Sequence, residues 1–379
     1  MRRCFGFLAT VACVVALIGA TGASAAPSIL HIREGAADAE TAARITAVNQ
    51  QWMDAHPGKT PEKKQEFRPE GSAILWRYYR NQGFFPNWVT AARDVGRRQR
   101  AGEAGNGRAA VDEIVSYGTR RVAPDGTVFR VNESVYLSTD GTAPPWRDAM
   151  GQGLILTTLI PTLDESSTSA DRERIRMLAT EYLNSFGVDW RDGGVGTDGK
   201  AGGKWFLEYA TPRGDESRIL NGFMQSIVSL NRFAAQADTL AAKDPGWADL
   251  RDRAREYVRL AALEVDAHLD DYDLHNGLSR YSMRSTDPAP ETYQVYHRQL
   301  LQLLQDVDYL PKEWRDHFNR VRASWSGEDL SSGRPWWQWT LVVAGAILLI
   351  LVALRIRARR MQMRRRRTRL GDGDAPPTP

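Results

Sequence analysis

The chain has 379 residues, of which 42% are hydrophobic and 25% charged, a composition typical of a folded protein. Its net charge is +4, but the arginines and aspartates of residues 355–379 contribute +7 and the first three residues +2, so the segment between them carries −5. The positive net charge therefore comes from the ends of the chain and is no argument for nucleic-acid binding, which we do not expect. Both cysteines, Cys4 and Cys13, lie in the first 25 residues, which excludes disulfides and thiol catalysis in the rest of the chain.

Residues 1–25 are predicted to be a signal peptide. Arg2 and Arg3 precede an apolar run over residues 5–20, and Ala23-Ser24-Ala25 is a small-residue cleavage pattern. We therefore expect the body of the protein to be exported.

The next elements are predicted from hydrophobic spacing and turn residues. Residues 26–69 are expected to form an N-terminal segment, with a helix over 36–55 and then a polar linker. The stretch "ILWRYYRNQGFFPNWVTAARDVGRR" predicts an aromatic-rich helix, a turn at Gly83 and a second helix after Pro86, and residues 101–108 predict a glycine-rich loop. Alternating residues on both sides of Asp125-Gly126 predict a β-hairpin at about 120–138, expected to be the only clear β-structure.

From Trp146 onward the spacing is helical. It predicts helices over residues 146–163, 171–186, 218–240, 247–270, 292–307 and 311–324, with a loop rich in glycine and aspartate at 191–203. Antiparallel helices in pairs indicate a mainly α fold, an incomplete α/α toroid over residues 70–325, in which the loops of one end form a cleft.

The C-terminal residues are predicted to anchor the protein in a membrane. A polar stalk at 326–335 leads to residues 336–354, in which only Gln338 and Thr340 are polar. A helix of this length reaches roughly 28 Å, close to the ~30 Å of a bilayer core. The basic tail at 355–379 is expected on the cytoplasmic side, so we predict a single-pass protein of the cell membrane with an exoplasmic or periplasmic body.

The motifs of several cofactor and metal enzymes are missing, and tyrosines beside charged groups recur instead. The chain has no HExxH, no paired CxxC, no GxSxG and no phosphate-binding glycine loop, so we predict neither metal nor cofactor. Glu208-Tyr209 occurs in "WFLEYATP", Tyr281 and Arg284 in "NGLSRYSMR", and Tyr293, Tyr296 and His297 in "ETYQVYHRQLLQLL".

These segments, with "NQGFFP", "PWRDAMGQG" and "ILNGFMQSIVSL", resemble the C-terminal catalytic domain of D-glucuronyl C5-epimerases of the heparosan and heparan type, over about residues 82–307. The resemblance implies a helical toroid that acts on the uronates of an acidic polysaccharide. It implies the following roles: Glu208, Tyr209, Tyr281 and Tyr293 as catalytic residues, with Tyr296 as the alternative to Tyr293, and Arg284 and His297 as substrate-binding residues. Two departures from the family are a longer loop between Tyr209 and Leu220 and a "GFFP" without tyrosine.

The chemistry requires an acid–base group on each face of the sugar. Tyr281 or Tyr293 is expected to donate a proton, and Glu208 or the other tyrosine to act as base. Arg284 is expected to hold the substrate carboxylate with its planar guanidinium. Trp205 is a candidate sugar platform, and Asn221 is expected to bind substrate or to begin the following helix.

Two other functions fit the same residues. A uronate polysaccharide lyase shares the first step, removal of the C5 proton, and then eliminates the C4 substituent. A non-catalytic glycan-binding or scaffold subunit of an envelope polysaccharide system would bind without turnover.

Overall fold

The structure is a computed structural model that describes residues 37–325 except 103, 139–140 and 212–216, and it leaves the side chains of 104–106 undescribed. The predicted signal peptide, stalk, membrane span and basic tail all fall outside these residues. Within the described part of the chain, no helix is both long enough and apolar enough to cross a bilayer.

The described chain is mainly helical, which confirms the predicted class. Its helices are α1 (Ala39–Ala55), α2 (Trp88–Arg100), α3 (Ala104–Ser116), α4 (Ala149–Leu159), α5 (Ser169–Gly187), α6 (Leu220–Ala241), α7 (Pro245–His268), α8 (Glu291–Gln305) and α9 (Lys312–Ser324). Local capping explains several starts. Asn87 accepts a hydrogen bond from the Thr90 amide at the start of α2, and Thr168 and Asp171 form a reciprocal capping box at the start of α5.

The helices form two layers. In the inner layer α2 packs on α4, α4 on α6 and α6 on α8, while α3, α5, α7 and α9 cover the outside. The inner helices are parallel, because contacts join corresponding ends. Near the C-terminal ends, Gln99 Nε2 donates to Thr158 O at 2.9 Å and Gln236 Nε2 to Thr157 O at 3.1 Å. The N-terminal ends of α2, α4, α6 and α8 therefore lie at the same end of the layer.

A three-stranded antiparallel sheet replaces one predicted helix. Its strands are β1 (Glu66–Phe67), β2 (Trp76–Tyr79) and β3 (Gly83–Pro86). The prediction of an aromatic-rich helix before Gly83 was therefore wrong, whereas the helix after Pro86 is confirmed as α2. Aromatic side chains favour strands, and Asn81, with φ of 61°, turns the chain between β2 and β3. Asn49 of α1 holds β3 through its Oδ1, which accepts from the Phe84 amide at 2.8 Å.

The predicted β-hairpin is confirmed around Gly126, but it is not the only β-structure. Its strands β4 (Gly118–Val122) and β5 (Val128–Ser134) continue to β6 (Trp146–Arg147). A further hairpin pairs β7 (Gly196–Asp198), within the predicted loop at 191–203, with β8 (Lys204–Phe206), which begins directly after it. The predicted loop at 101–108 also contains the start of α3. The glycines of both regions suggested loops, although short turns between strands and helix starts use the same residue.

Candidate active site

A cavity of about 380 Å³ lies where the N-terminal ends of the inner helices meet. Asn87 and Asp148 immediately precede α2 and α4, Asn221 lies in the first turn of α6, and Thr292 in the first turn of α8; all four line the cavity. The positive ends of four helix dipoles therefore face one space, which favours an anion there.

Five of the residues predicted for the site line this cavity. They are Glu208, Tyr209, Asn221, Tyr281 and Tyr293, and they come from three distant stretches of the sequence. The rings of Tyr281 and Tyr293 meet edge to face with centroids 4.8 Å apart. Tyr296, the alternative to Tyr293, lines the same cavity, so both phenols of α8 belong to it.

Glu208 is positioned by the start of α6. The chain leaving β8 is held by the Ala149 amide, which donates to Leu207 O at 2.9 Å. The Glu208 carboxylate then packs against Gly222 so closely that a Cβ at that glycine would overlap its oxygen Oε2. The glycine in "LNGF" therefore makes room for the glutamate in "LEY", and the N-terminal end of α6 favours its negative charge.

Arg284 lies beside this cavity rather than within it. It lines an adjoining cavity of about 550 Å³ together with Lys63 and Lys64, and Tyr281 and Tyr293 border both spaces. We call this adjoining cavity the Arg284 arm. Arg284 thus shares a cavity with the two tyrosines, although a single pocket does not enclose all the predicted residues.

Two predicted substrate-binding residues lie in the core, which corrects those predictions. Trp205 is only 1% exposed and stacks on Phe223 with centroids 3.9 Å apart, so its ring offers no platform for a sugar. His297 is fully buried, with Nδ1 2.8 Å from the Ser279 hydroxyl. Burial lowers the pKa of His297 to about 3, so the ring is neutral.

The structure adds phenols that sequence reasoning missed. Tyr79 of β2 pairs across the sheet with Gly83 of "GFFP", and its ring stacks on Tyr136 at 3.9 Å. Asn87 Nδ2 donates to both hydroxyls, at 2.6 and 2.9 Å. The opposite strand thus supplies a tyrosine next to the motif that lacks one. Burial raises the pKa of Tyr79 to about 12, which keeps it a hydrogen-bond donor at neutral pH. A prediction of a β-hairpin for "RYYRNQGFFP" would have placed Tyr79 beside this motif.

Asp148 is a second carboxyl group in the cavity, and it too was missed. It is 6% exposed, and its Oδ1 is buried with no hydrogen-bond partner among the residues described. Burial raises the pKa of Asp148 to about 7, against the lowering effect of the Gly151 and Met150 amides and of the Arg93 guanidinium. The helix predicted over residues 146–163 included Asp148, whereas α4 begins one residue after it, at Ala149.

A third cavity, of about 890 Å³, extends the site on the side of α2 and shares Arg77, Val89 and Arg93 with the central one. Arg100 and Arg232 also line this space, which we call the Arg232 arm. With the Arg284 arm, the three cavities form one groove with cations along its length. Within the part of the chain described, no cluster of three or more His, Cys, Asp or Glu side chains is placed to hold a metal ion.

Comparison with known proteins agrees with the resemblance of the motifs. A model of the family described as D-glucuronyl C5-epimerase C-terminus matches residues 125–326, just over half of the chain. No curated protein matches the chain. The match includes Asp148, Glu208, Tyr209, Tyr281 and Tyr293, whereas Lys64, Tyr79 and Arg93 precede it. The chain therefore belongs to the family of the D-glucuronyl C5-epimerase C-terminus.

Proposed function

We propose that this protein is a polysaccharide uronate C5-epimerase that removes and returns the C5 proton of glucuronate-type residues in an exported acidic glycan, without a cofactor. One observation carries the proposal: Glu208, Tyr209, Tyr281 and Tyr293, predicted from separate motifs, line a single cavity. That cavity is open to a ligand and bounded by helix N-termini, as a site for a carboxylated sugar requires.

The residues present can supply both proton transfers. Removal of the proton on C5 leaves an electron pair that delocalises into the adjacent carboxylate as an enediolate, and a proton returned to the other face inverts the centre. Glu208 or a tyrosine acts as base, and Tyr281 or Tyr293 as acid. The helix N-termini stabilise the negative charge that develops on the enediolate.

A polymeric substrate is supported by the shape and charge of the groove. The Arg284 and Arg232 arms extend the central cavity in two directions and place cations along both. A uronate polymer carries a carboxylate on each acidic sugar, so its neighbouring units would meet these cations. The signal-like residues 1–25 and the apolar residues 336–354 further support action on a glycan outside the cell, by a body tethered to the membrane.

Incubation with uronate polymers in heavy water tests the proposal. Wild-type protein is expected to place deuterium at C5 and to leave the chain length unchanged. Tyr281→Phe removes one hydroxyl from the cavity and is expected to slow exchange by about 100-fold or more. Tyr309→Phe is the matched control, because the Tyr309 hydroxyl bonds Asn231 outside the groove and its loss should leave the exchange rate unchanged.

The other outcomes separate the alternative functions. An unsaturated, ultraviolet-absorbing sugar end with shortened chains would identify a lyase. Binding of a uronate polymer with no exchange, equal in wild type and Tyr281→Phe, would identify a glycan-binding subunit and contradict the epimerase.

A further inference from the structure

We propose that Asp148 is a catalytic residue of this site, which as a neutral carboxylic acid donates a hydrogen bond to the carboxylate of the bound uronate. The inference rests on the proposed function and adds to it the group that receives the developing charge. It assigns to a buried aspartate the role that sequence reasoning gave to Arg284.

Asp148 lines the cavity and has one carboxyl oxygen without a hydrogen-bond partner among the described residues. It stands at the start of α4 and lines the central cavity with Glu208, Tyr209 and Tyr281. Its Oδ2 lies on the side of Gly151, 3.1 Å from the position that a Cβ there would occupy. Its Oδ1 is buried and lacks a hydrogen-bond partner among the described residues. A buried polar atom without a partner carries a cost, which a small movement of the carboxyl group toward a ligand in the cavity would remove.

The surroundings of Asp148 balance burial against nearby charge. From α2 it faces Arg93, whose Nη2 is already engaged by the Tyr296 hydroxyl of α8 at 2.7 Å. The Tyr79 phenol of β2 also interacts with it electrostatically. Other ionisable groups lining the cavity are Lys64, Arg77, Tyr136, Glu208, Tyr209, Tyr281 and Tyr293. Because no ion pair joins Asp148 to a cation in the described structure, desolvation decides its state, and the neutral form is populated near pH 7.

A neutral Asp148 avoids electrostatic repulsion between its side chain and the carboxylate of the bound uronate. An ionised Asp148 would repel the uronate carboxylate, as would Glu208 if it lay equally close. A protonated carboxyl instead donates an O–H···O⁻ hydrogen bond, which strengthens as electron density moves from C5 into the substrate carboxylate. Glu208 is less buried than Asp148 and lies against the positive end of α6. The helix N-terminus favours a negative charge on Glu208, whereas burial raises the pKa of Asp148.

The test compares variants that keep or remove the donor. In Asp148→Asn the amide still donates a hydrogen bond and cannot ionise; in Asp148→Ala the donor is gone. C5 exchange by wild type should fall about tenfold per pH unit above pH 7, as Asp148 loses its proton. Asp148→Asn should lose this fall while keeping substantial exchange at pH 6. Asp148→Ala should lose about 100-fold or more at pH 6 and should show no further fall above pH 7. Asp306→Asn, on the exposed end of α8, is the matched control.

Measurements of oligosaccharide binding test the role of Asp148 independently of the proposed epimerase activity. The affinity of a glucuronate oligosaccharide, measured by calorimetry from pH 5.5 to 8.5, should weaken above pH 7 for wild type and stay constant for Asp148→Asn. Such binding without exchange would overturn the epimerase and leave the donor role standing. The inference would be overturned by equal losses of exchange in Asp148→Asn and Asp148→Ala, or by a high-pH fall that persists in Asp148→Asn. A wild-type affinity that does not depend on pH would overturn it as well. Absence of any uronate binding would overturn both the inference and the proposed function.

Discussion

At the scale of single residues, the site depends on side chains that hold others in place. His297 is one of them. Its ring meets the Ser279 hydroxyl, and Gln294 makes a second connection, with Nε2 donating to Ser279 O at 2.8 Å. These buried contacts tie the segment before Tyr281 to the helix that carries Tyr293. The histidine therefore acts on the site by positioning its tyrosines, without touching the cavity.

The free energy of unfolding should depend on pH because the buried His297 ring resists protonation. Its folded pKa of about 3 lies below the ordinary value near 6.5, so between these pH values the unfolded chain binds the proton and the folded chain does not. The stabilisation is complete above pH 6.5 and is lost as the pH falls through that window, by about 1.4 kcal/mol per pH unit. Urea unfolding from pH 7 to pH 4 should show this slope in wild type and a shallower one in His297→Gln. Identical slopes would show that the histidine does not resist protonation.

Site residues could be predicted from the sequence where they lie in a recognisable motif, but not where burial in the fold decides their role. Glu208, Tyr209, Tyr281 and Tyr293 were predicted because each pairs a phenol or a carboxylate with a recognisable motif. Trp205 was misassigned because a tryptophan beside a site residue looks the same in sequence whether its ring faces a sugar or the core. Asp148 was missed since burial, which gives it an unusual protonation state, depends on residues far away in the chain.

At the scale of elements, the start of α6 couples packing to chemistry. Gly222 lies in the first turn of this helix, and the Glu208 carboxylate occupies the volume that any larger side chain would need. A glycine inside a helix ordinarily costs about 0.5–1 kcal/mol relative to alanine. The close approach of the carboxylate explains why a glycine occupies this position.

Gly222→Ala should therefore lack the usual benefit of alanine in a helix. The new Cβ would displace Glu208, so we expect a lower free energy of unfolding and slower C5 exchange than in wild type. The contrast is Gly96→Ala in α2, where the nearest atom to a new Cβ is Arg100 Nη1 at 3.4 Å, and where alanine should stabilise by about 0.5–1 kcal/mol. Urea unfolding of both variants measures the difference. A stabilised Gly222→Ala would contradict the packing argument.

Helices were easier to predict than strands. Long helices such as α5 and α7 lie close to their predicted ranges, because apolar residues at three- and four-residue spacing continue over several turns. The sheet of β1 to β3 was missed because "WRYY" and "GFFP" are too short for a period to decide between helix and strand. Their pairing also depends on α1, which packs on β3 through Asn49 from 35 residues away.

At the scale of the whole molecule, charge is distributed unevenly. The segment between the two basic ends carries a net −5, yet cations line the groove along both arms. Some are neutralised: Arg97, for instance, is paired with Asp94 at 2.5 Å. Arg232 has no ion-pair partner among the described residues, so its full charge faces the groove. A polyanion would thus be attracted locally by a protein that repels it elsewhere.

Reversal of one of these charges should affect long substrates selectively. Arg232→Glu is expected to weaken binding of a uronate polymer several-fold at low ionic strength and to leave a disaccharide-sized fragment unaffected, since that fragment fills only the central cavity. The difference should vanish at 1 M salt, where screening acts over about 3 Å. Arg320→Glu, on the exposed side of α9 and outside the groove, is the matched control. Equal effects on polymer and fragment would contradict the extended groove.

The central claim is that the cavity at the inner-helix N-termini holds a uronate ring. The most direct test is a crystal structure of the slowed variant Tyr281→Phe in complex with a glucuronate oligosaccharide. We predict one uronate in the central cavity, with its C5 facing Glu208 and the phenylalanine ring at position 281. The carboxylate of this uronate should lie within hydrogen-bond distance of Asp148. Neighbouring sugars should lie along the Arg284 and Arg232 arms. An oligosaccharide bound elsewhere, with the central cavity empty, would contradict the account.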